Sequence, residues 1–315
     1  MPVFPINFSI PEEKIIEKVT VDEMRAIKTK WLSDIIPNFQ GHRGYTYATE
    51  DDYYQNYKES WFAVTCKKAG YDCLRHYEIL ANGCLPVFID MDDCPHATLT
   101  RFPKCTVKIS TDLFFKHNTS TVVTLDDSAI EKFVGLVNSL LDHTVTYLTT
   151  KRTASYIFEC MNRSIDEHTT VLFLSGETTI DYLRCLTLHG MKELLNKRCH
   201  DYPKICHLYK SDTQSSDDLY GRGFSCTKLL EDERYRDDSL DDTIVEDISN
   251  HKYTFVMYGS FHRGLPYHEE VKRAYGSKEI IYLCGEDRED NYTKHHCELT
   301  KDCYMESYCF VRELD

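Results

Sequence analysis

Between residues 60 and 87 the chain gathers side chains able to hold a phosphorylated ligand: Lys67, Lys68, Gly70, Asp72, Arg75, His76, Glu78 and Gly83. An apolar run over 60–66 enters this segment as a strand. A helical pattern follows from Asp72, as N-cap, to Ala81, and Asn82-Gly83 supplies its stop. Lysines and a helix N-terminus at one strand end suit a diphosphate, because exposed N–H groups and cations both favour negative charge. Arg75 offers a fork for two phosphate oxygens, and Glu78 can accept hydrogen bonds from the paired hydroxyls of a ribose. The plainer reading is a solvated helix face with an Arg75/Glu78 pair at i,i+3.

A second group lies at later strand ends: Ser175-Gly176-Glu177, Asp181, Gly259-Ser260, His262-Arg263 and Gly285-Glu286-Asp287. If a hydroxyl is to attack a bound ligand, an Asp, Glu or His must take its proton. His262, Asp181, Glu177, Glu286 and Asp287 have the right types, although acidic loops are commonly just solvated. Tyr220-Gly221-Arg222-Gly223-Phe224 reads as a flexible loop entering a cleft, with Tyr220, Gly221, Arg222 and Arg263 on its acceptor side, or as a simple turn. His295-His296-Cys297 with Cys303 and Cys309 is the one cluster that suggests a metal, but its spacing does not fit a zinc knuckle.

These residues need elements to hold them, and the chain alternates strand and helix. Short apolar runs at 86–90, 171–174, 205–209, 255–258 and 279–284 read as buried parallel strands. Helical periodicity runs from Asp126 through Leu141, from Thr149 to Met161, over 179–196 and over 266–275. Ser9-x-x-Glu12 and Thr20-x-x-Glu23 are capping-box candidates, placing one or two helices in the first 35 residues. The expected class is α/β with parallel sheets, in two Rossmann-like domains: 1–165, a ligand-binding half, and 166–315. In such sheets ligands sit beyond the carboxyl ends of the strands.

With 315 residues, one large or two medium domains are the natural expectation. A net charge of −14 argues against general binding to nucleic acid, which needs clustered cations. No apolar run reaches a membrane span, and the opening MPVFPINFSIPEEK lacks the character of a secretory signal. Fourteen cysteines without a CxxC pair then read as reduced thiols in a cytoplasmic protein.

The stretch Arg75-His-Tyr-Glu78-Ile-Leu-Ala-Asn-Gly83-Cys84-Leu-Pro86-Val resembles the nucleotide-sugar half of the exostosin-like glycosyltransferases, whose element reads R-[FY]-x-E-x-x-x-x-G-C-[IL]-P-V. Here the aromatic sits one place later. A wider pattern, from Tyr54 through Lys67-Lys68-x-Gly70-Tyr71-Asp72, is similar to a branch of that group found in large DNA viruses and microbes. The likeness continues at Cys94-Pro95, Pro103-Lys104, Leu148-Thr-Thr-Lys151 and Tyr220–Phe224, with only the central block specific. The resemblance implies a GT-B-like pair of domains and a nucleoside-diphosphate-sugar donor, UDP-linked. It further implies a glycan or glycosylated acceptor, inversion at the anomeric carbon and no required metal. By analogy Glu78 holds the ribose, while Arg75 with Lys67 or Lys68 stabilises the departing diphosphate. In that family the donor half comes second. Here its motif lies in the first half, so the halves are permuted, the chain is cut from a longer one, or the second domain has another task.

Two other readings stay open. Phe88-Ile-Asp90-Met-Asp92 is an apolar strand ending in D-x-D, which suits Mg²⁺ or Mn²⁺ in a metal-dependent glycosyltransferase of the other major fold. The same strand mimics the nucleophile strand of a haloacid-dehalogenase-type phosphatase, with Leu172–Ser175 and Gly285–Asp290 as its later elements. A non-catalytic scaffold with a degenerate transferase fold is the remaining alternative.

Overall fold

A computed structural model of the chain describes residues 3–37, 47–117, 125–287 and 307–314. Its first half carries strand β1 (Val3–Pro5), helix α1 (Val21–Ile27), strand β2 (Lys30–Leu32), helix α2 (Glu50–Lys58), strand β3 (Ser60–Thr65), helix α3 (Leu74–Ala81), strand β4 (Leu85–Phe88), and helices α4 (Lys104–His117), α5 (Asp127–His143) and α6 (Thr150–Cys160). The second half carries β5 (Val171–Leu174), α7 (Tyr182–Leu195), β6 (Cys199–Tyr202), α8 (Asp232–Tyr235), α9 (Ile244–Ser249), β7 (Phe255–Tyr258), α10 (His268–Ala274), β8 (Ile280–Cys284) and β9 (Tyr308–Val311).

The described strands form two parallel sheets, one of order β2-β3-β4 and one of order β6-β5-β7-β8-β9-β1. Alternation along β5 shows how the larger sheet is covered. Val171 and Phe173 face the apolar cluster shared with α6 and α7, while Leu172 and Leu174 face the cluster of Ile244, Ile248 and Val271 from α9 and α10. A strand buried on both faces must be apolar throughout, which is why these runs were visible in the sequence. The smaller sheet is covered in the same way. Phe62, Leu85 and Val87 pack toward α4 and α5, and Ala63 toward the tyrosines of α2.

Helix starts follow the capping chemistry written in the sequence. Thr20 and Glu23 close a reciprocal capping box on α1. Asp126 accepts from the Ala129 N–H at 2.8 Å at the head of α5, and Thr149 caps α6. The other box candidate fails: Pro11 precedes only a single 3-10 turn at Glu12–Lys14, and Ile10 is drawn into a bridge with Thr149.

One expectation is corrected. Residues 205–209 are a 3-10 turn ending in an isolated bridge to Leu230, and the strand is instead the polar β6. Asp201 is tolerated in that strand because Lys192 Nζ and the Tyr209 hydroxyl reach its carboxylate, each at 2.8 Å. The line at residue 165 separates the three-stranded sheet from five strands of the other, but β1 from the first half completes the larger sheet beside β9. One apolar cluster also runs continuously from Phe62 and Leu85 to Phe173 and Leu283.

Candidate functional site

The larger sheet has its topological switch between β5 and β7: the chain leaves β5 toward β6 on one side and returns to β7 on the other. Crevices at such points, outside the carboxyl ends of parallel strands, are where open α/β sheets bind ligands. A cavity of about 430 Å³ lies there, and loops from both sheets line it. Lys68–Gly70 and Asp72 follow β3, Leu74, Arg75 and Glu78 lie on α3, Ile180–Tyr182 come from the β5 loop and Arg263 from the β7 loop. Gly285 and Asp287 follow β8, Arg312 follows β9, and Tyr220, Gly221 and Phe224 come from the segment beyond β6. Four cations (Lys68, Arg75, Arg263, Arg312) face four carboxylates (Asp72, Glu78, Asp181, Asp287) on this wall, in a chain of net charge −14.

Glu78 sits on α3 and is only 5% exposed. Its Oε2 accepts from the Tyr53 hydroxyl at 2.7 Å and its Oε1 from Ser225 Oγ at 2.5 Å. Tyr57 and Tyr54 stand behind those two donors. Burial pushes the carboxyl up to about 6, against the hydroxyl hydrogen bonds and the nearby Arg75 charge, which favour the ionised form. The head of α3 faces the same space. Cys73 is its N-cap and supplies no side-chain acceptor, and Cys73, Leu74 and Arg75 all line the cavity.

Across the cavity, Asp181 caps α7 by accepting from the Arg184 N–H at 3.0 Å, and its other oxygen accepts from Arg263 Nε at 2.7 Å. Desolvation pushes this buried carboxyl up. The Arg184 N–H and the charges of Arg184 and Arg263 outweigh it and hold the group below its ordinary value. The β5 loop is fixed from beneath, because the buried Arg184 guanidinium donates to the carbonyls of Glu177 and Thr179. Gly176 packs so closely on the β7 loop that a Cβ there would lie 2.3 Å from the Arg263 carbonyl oxygen.

A third group clasps the two sheets together. Arg312, buried at the end of β9, donates to the Asp72 carbonyl at 2.5 Å and to Glu313 at 2.9 Å, and pairs with Asp287. Glu313 accepts from the N–H groups of Tyr71 and Asp72 at 3.1 and 2.8 Å. The Asp72 carboxylate accepts from the Phe8 N–H at 2.6 Å and the Tyr77 hydroxyl at 2.8 Å.

The structure thus brings Lys68, Gly70, Asp72, Arg75, Glu78, Tyr220, Gly221, Arg263, Asp181 and Asp287 to one cavity. One of these has another role than expected, and other expected members stand elsewhere. Asp72 is not the cap of α3, since its carboxylate is turned to Phe8 and Tyr77. His76 is buried between Thr65 Oγ1 at 2.8 Å and the Tyr71 carbonyl at 2.7 Å, and burial drops its imidazole to about 3, so it stays neutral. Lys67 lies over the Tyr71 ring, 5.0 Å from its centroid, and Gly83 ends α3 with φ +62° against Ile16. Arg222 pairs with Asp217 at 2.7 Å, and Glu177 is outside the lining, 3.6 Å from Arg263. His262 is 4.0 Å from Asp181, outside the lining.

Asp90 accepts from the Lys67 N–H at 3.0 and 3.1 Å, while Asp92 pairs with Lys108 at 2.5 Å, and neither lines the cavity. Of the segments in the phosphatase alternative, β4 lies in the smaller sheet and β5 in the larger, and residues 288–290 of its acidic loop lie outside the described residues. Among the described residues no group of three or more His, Cys, Asp or Glu is placed to hold a metal ion. His295, His296, Cys297 and Cys303 lie outside the described residues, and Cys309 is buried in β9. No described helix is long and apolar enough to cross a membrane.

Sequence reasoning missed Tyr53, Ser225 and Arg312. Only Tyr53 had a signal, its position ahead of the Tyr54 pattern. Ser225 and Arg312 act through pairings more than 140 residues apart in sequence, which no local pattern reports. No family model, curated protein or solved structure matches this chain.

Proposed function

We propose that the cleft binds a nucleoside-diphosphate sugar, UDP-linked, and transfers its sugar to a hydroxyl of a glycan or glycosylated acceptor. The observation that carries this reading is the meeting, on one cavity wall, of Glu78, Lys68, Arg75 and the head of α3. These belong to the segment that resembles the exostosin-like donor half. The Glu78 carboxylate takes the ribose hydroxyls, and the cations with the α3 N–H groups take the diphosphate.

The acceptor hydroxyl attacks the anomeric carbon from the side of the larger sheet. Its proton passes to a base as the carbon–oxygen bond to the diphosphate breaks, and the leaving oxygen keeps the electron pair. Lys68 and Arg75 stabilise the charge that develops there. Asp181 is the base this reading assigns, because it lines the cavity across from α3. A single displacement of this kind inverts the anomeric centre. In a GT-B-like arrangement with the donor half first, β1 is a strand that the donor half lends to the larger sheet, parallel to β9.

Calorimetric titration with UDP, GDP and CMP, each with and without EDTA, tests the reading. Micromolar binding of UDP that survives EDTA is the expected result. Binding only with Mg²⁺ or Mn²⁺ shifts the weight to a metal site, and no binding of any nucleotide contradicts the assignment.

A further inference from the structure

Resting on that donor assignment, we propose that residues 219–228 form a strap that competes with the nucleotide for its two anchoring groups, so that donor binding requires the strap to be exchanged. The strap comes from the second half of the chain and reaches both groups in the first. The Tyr220 hydroxyl accepts from Lys68 Nζ at 2.7 Å, and the tyrosine ring stands 5.3 Å from the same ammonium. Five residues on, Ser225 Oγ donates to Glu78 Oε1 at 2.5 Å. The cation assigned to a phosphate oxygen therefore holds a phenol oxygen, and the carboxylate assigned to a ribose hydroxyl holds a serine hydroxyl.

Glu78 has little room for both. Tyr53 already donates to its other oxygen, and only 5% of the residue is exposed. A vicinal diol spanning both carboxylate oxygens competes with the Ser225 hydroxyl for Glu78 Oε1.

The strap's backbone is suited to release. Gly221, Arg222, Gly223, Ser225 and Lys228 have φ of 60°, 55°, 67°, 65° and 53°. Three of these are not glycine, and the left-handed region is disfavoured for side chains, so the conformation persists only while its contacts hold it. Those contacts lie largely on the first half: Ser225 N donates to Glu50 at 2.5 Å, and Arg222 donates to the Ala48 carbonyl at 3.3 Å. The far end is pinned separately, with Lys228 N on the His207 carbonyl and Leu230 N on the Leu208 carbonyl at 2.8 and 2.9 Å. Release at the cleft leaves that anchor in place, and Tyr220, 56% exposed, swings outward.

The test compares the full chain with Ser225→Ala and Tyr220→Phe. UDP affinity is measured by calorimetry, hydrogen exchange is followed in the peptides covering 217–227, and thermal melts confirm folding. Removing a competing hydroxyl should tighten UDP binding about five- to tenfold in each variant. In the parent, UDP should speed exchange in the strap. Binding that is unchanged or weaker in either variant, or a strap protected by UDP, overturns the proposal, because the strap would then support the site. If the parent binds UDP and Ser225→Ala binds it no tighter, only the strap assignment falls. If no form binds UDP, the donor assignment itself fails and takes the exchange with it.

Discussion

Two buried carboxyls on the cleft wall give the residue-scale account its sharpest consequences. Glu78 must be ionised to accept two ribose hydroxyls, and burial has raised it to about 6. Affinity for UDP-glucose, whose doubly esterified diphosphate does not titrate here, should fall about tenfold between pH 6.5 and 5. A flat profile across that interval would mean the carboxylate does not touch the ligand. Asp72 is raised further, to about 7, chiefly by burial and against the pull of Arg312. Its folded form thus keeps a proton that the unfolded chain has lost, so its contribution to stability is full below about 4 and is lost as pH rises through 7. Asp72→Asn should remove that part of the pH dependence, read as a difference in denaturant midpoints between pH 4.5 and 7.5. An unchanged slope would place the ionised carboxylate there instead.

At the scale of elements, the site depends on how tightly the β5 and β7 loops close on one another. Gly176→Ala would drive a Cβ to within 2.3 Å of the Arg263 carbonyl oxygen and 2.5 Å of Gly264 Cα, both backbone atoms that cannot simply rotate away. Overpacking of this kind costs about 1–3 kcal/mol, so the melting temperature should drop by several degrees. UDP affinity should change less, because the donor anchors lie on α3. A variant that melts with the parent would show the two loops to be looser than described. The elements themselves were unevenly legible. β5, β7 and β8 stood out because burial on both faces demands continuous apolar residues, and α5 because Asp126 and a 3.6-residue apolar stripe mark it. β6 did not: its Cys-His-Asp-Tyr sequence is buried through the pairing of Asp201 with Lys192, a tertiary effect with no local trace. β1 and β2 span three residues each, too few to show a period. At the site, the α3 segment was readable because one loop and one helix carry it. Ser225 on Glu78 and Phe8 on Asp72 come from distant chain and were not.

For the whole molecule, the clasp around Arg312 joins what the sequence suggested were separate halves. Its guanidinium, 1% exposed, serves the Asp72 carbonyl, Glu313 and Asp287 at once, with Phe8 beneath it at 4.6 Å. Removing one partner of such a buried network costs about 3–5 kcal/mol. Arg312→Met should therefore lower stability by that order, measured by urea unfolding. Because β1 crosses to the larger sheet and one apolar cluster spans both, the parent should unfold in a single calorimetric transition. Two well-separated transitions would show that the halves are independent after all.

The most direct test of the central claim sets UDP against 2′-deoxy-UDP on the parent and on Glu78→Gln. If Glu78 reads the ribose, the parent prefers UDP by about ten- to a hundredfold, the worth of a hydrogen bond to a charged group, and the preference largely disappears in the variant. Equal binding of the two nucleotides by the parent, or a preference that survives Glu78→Gln, would contradict the account.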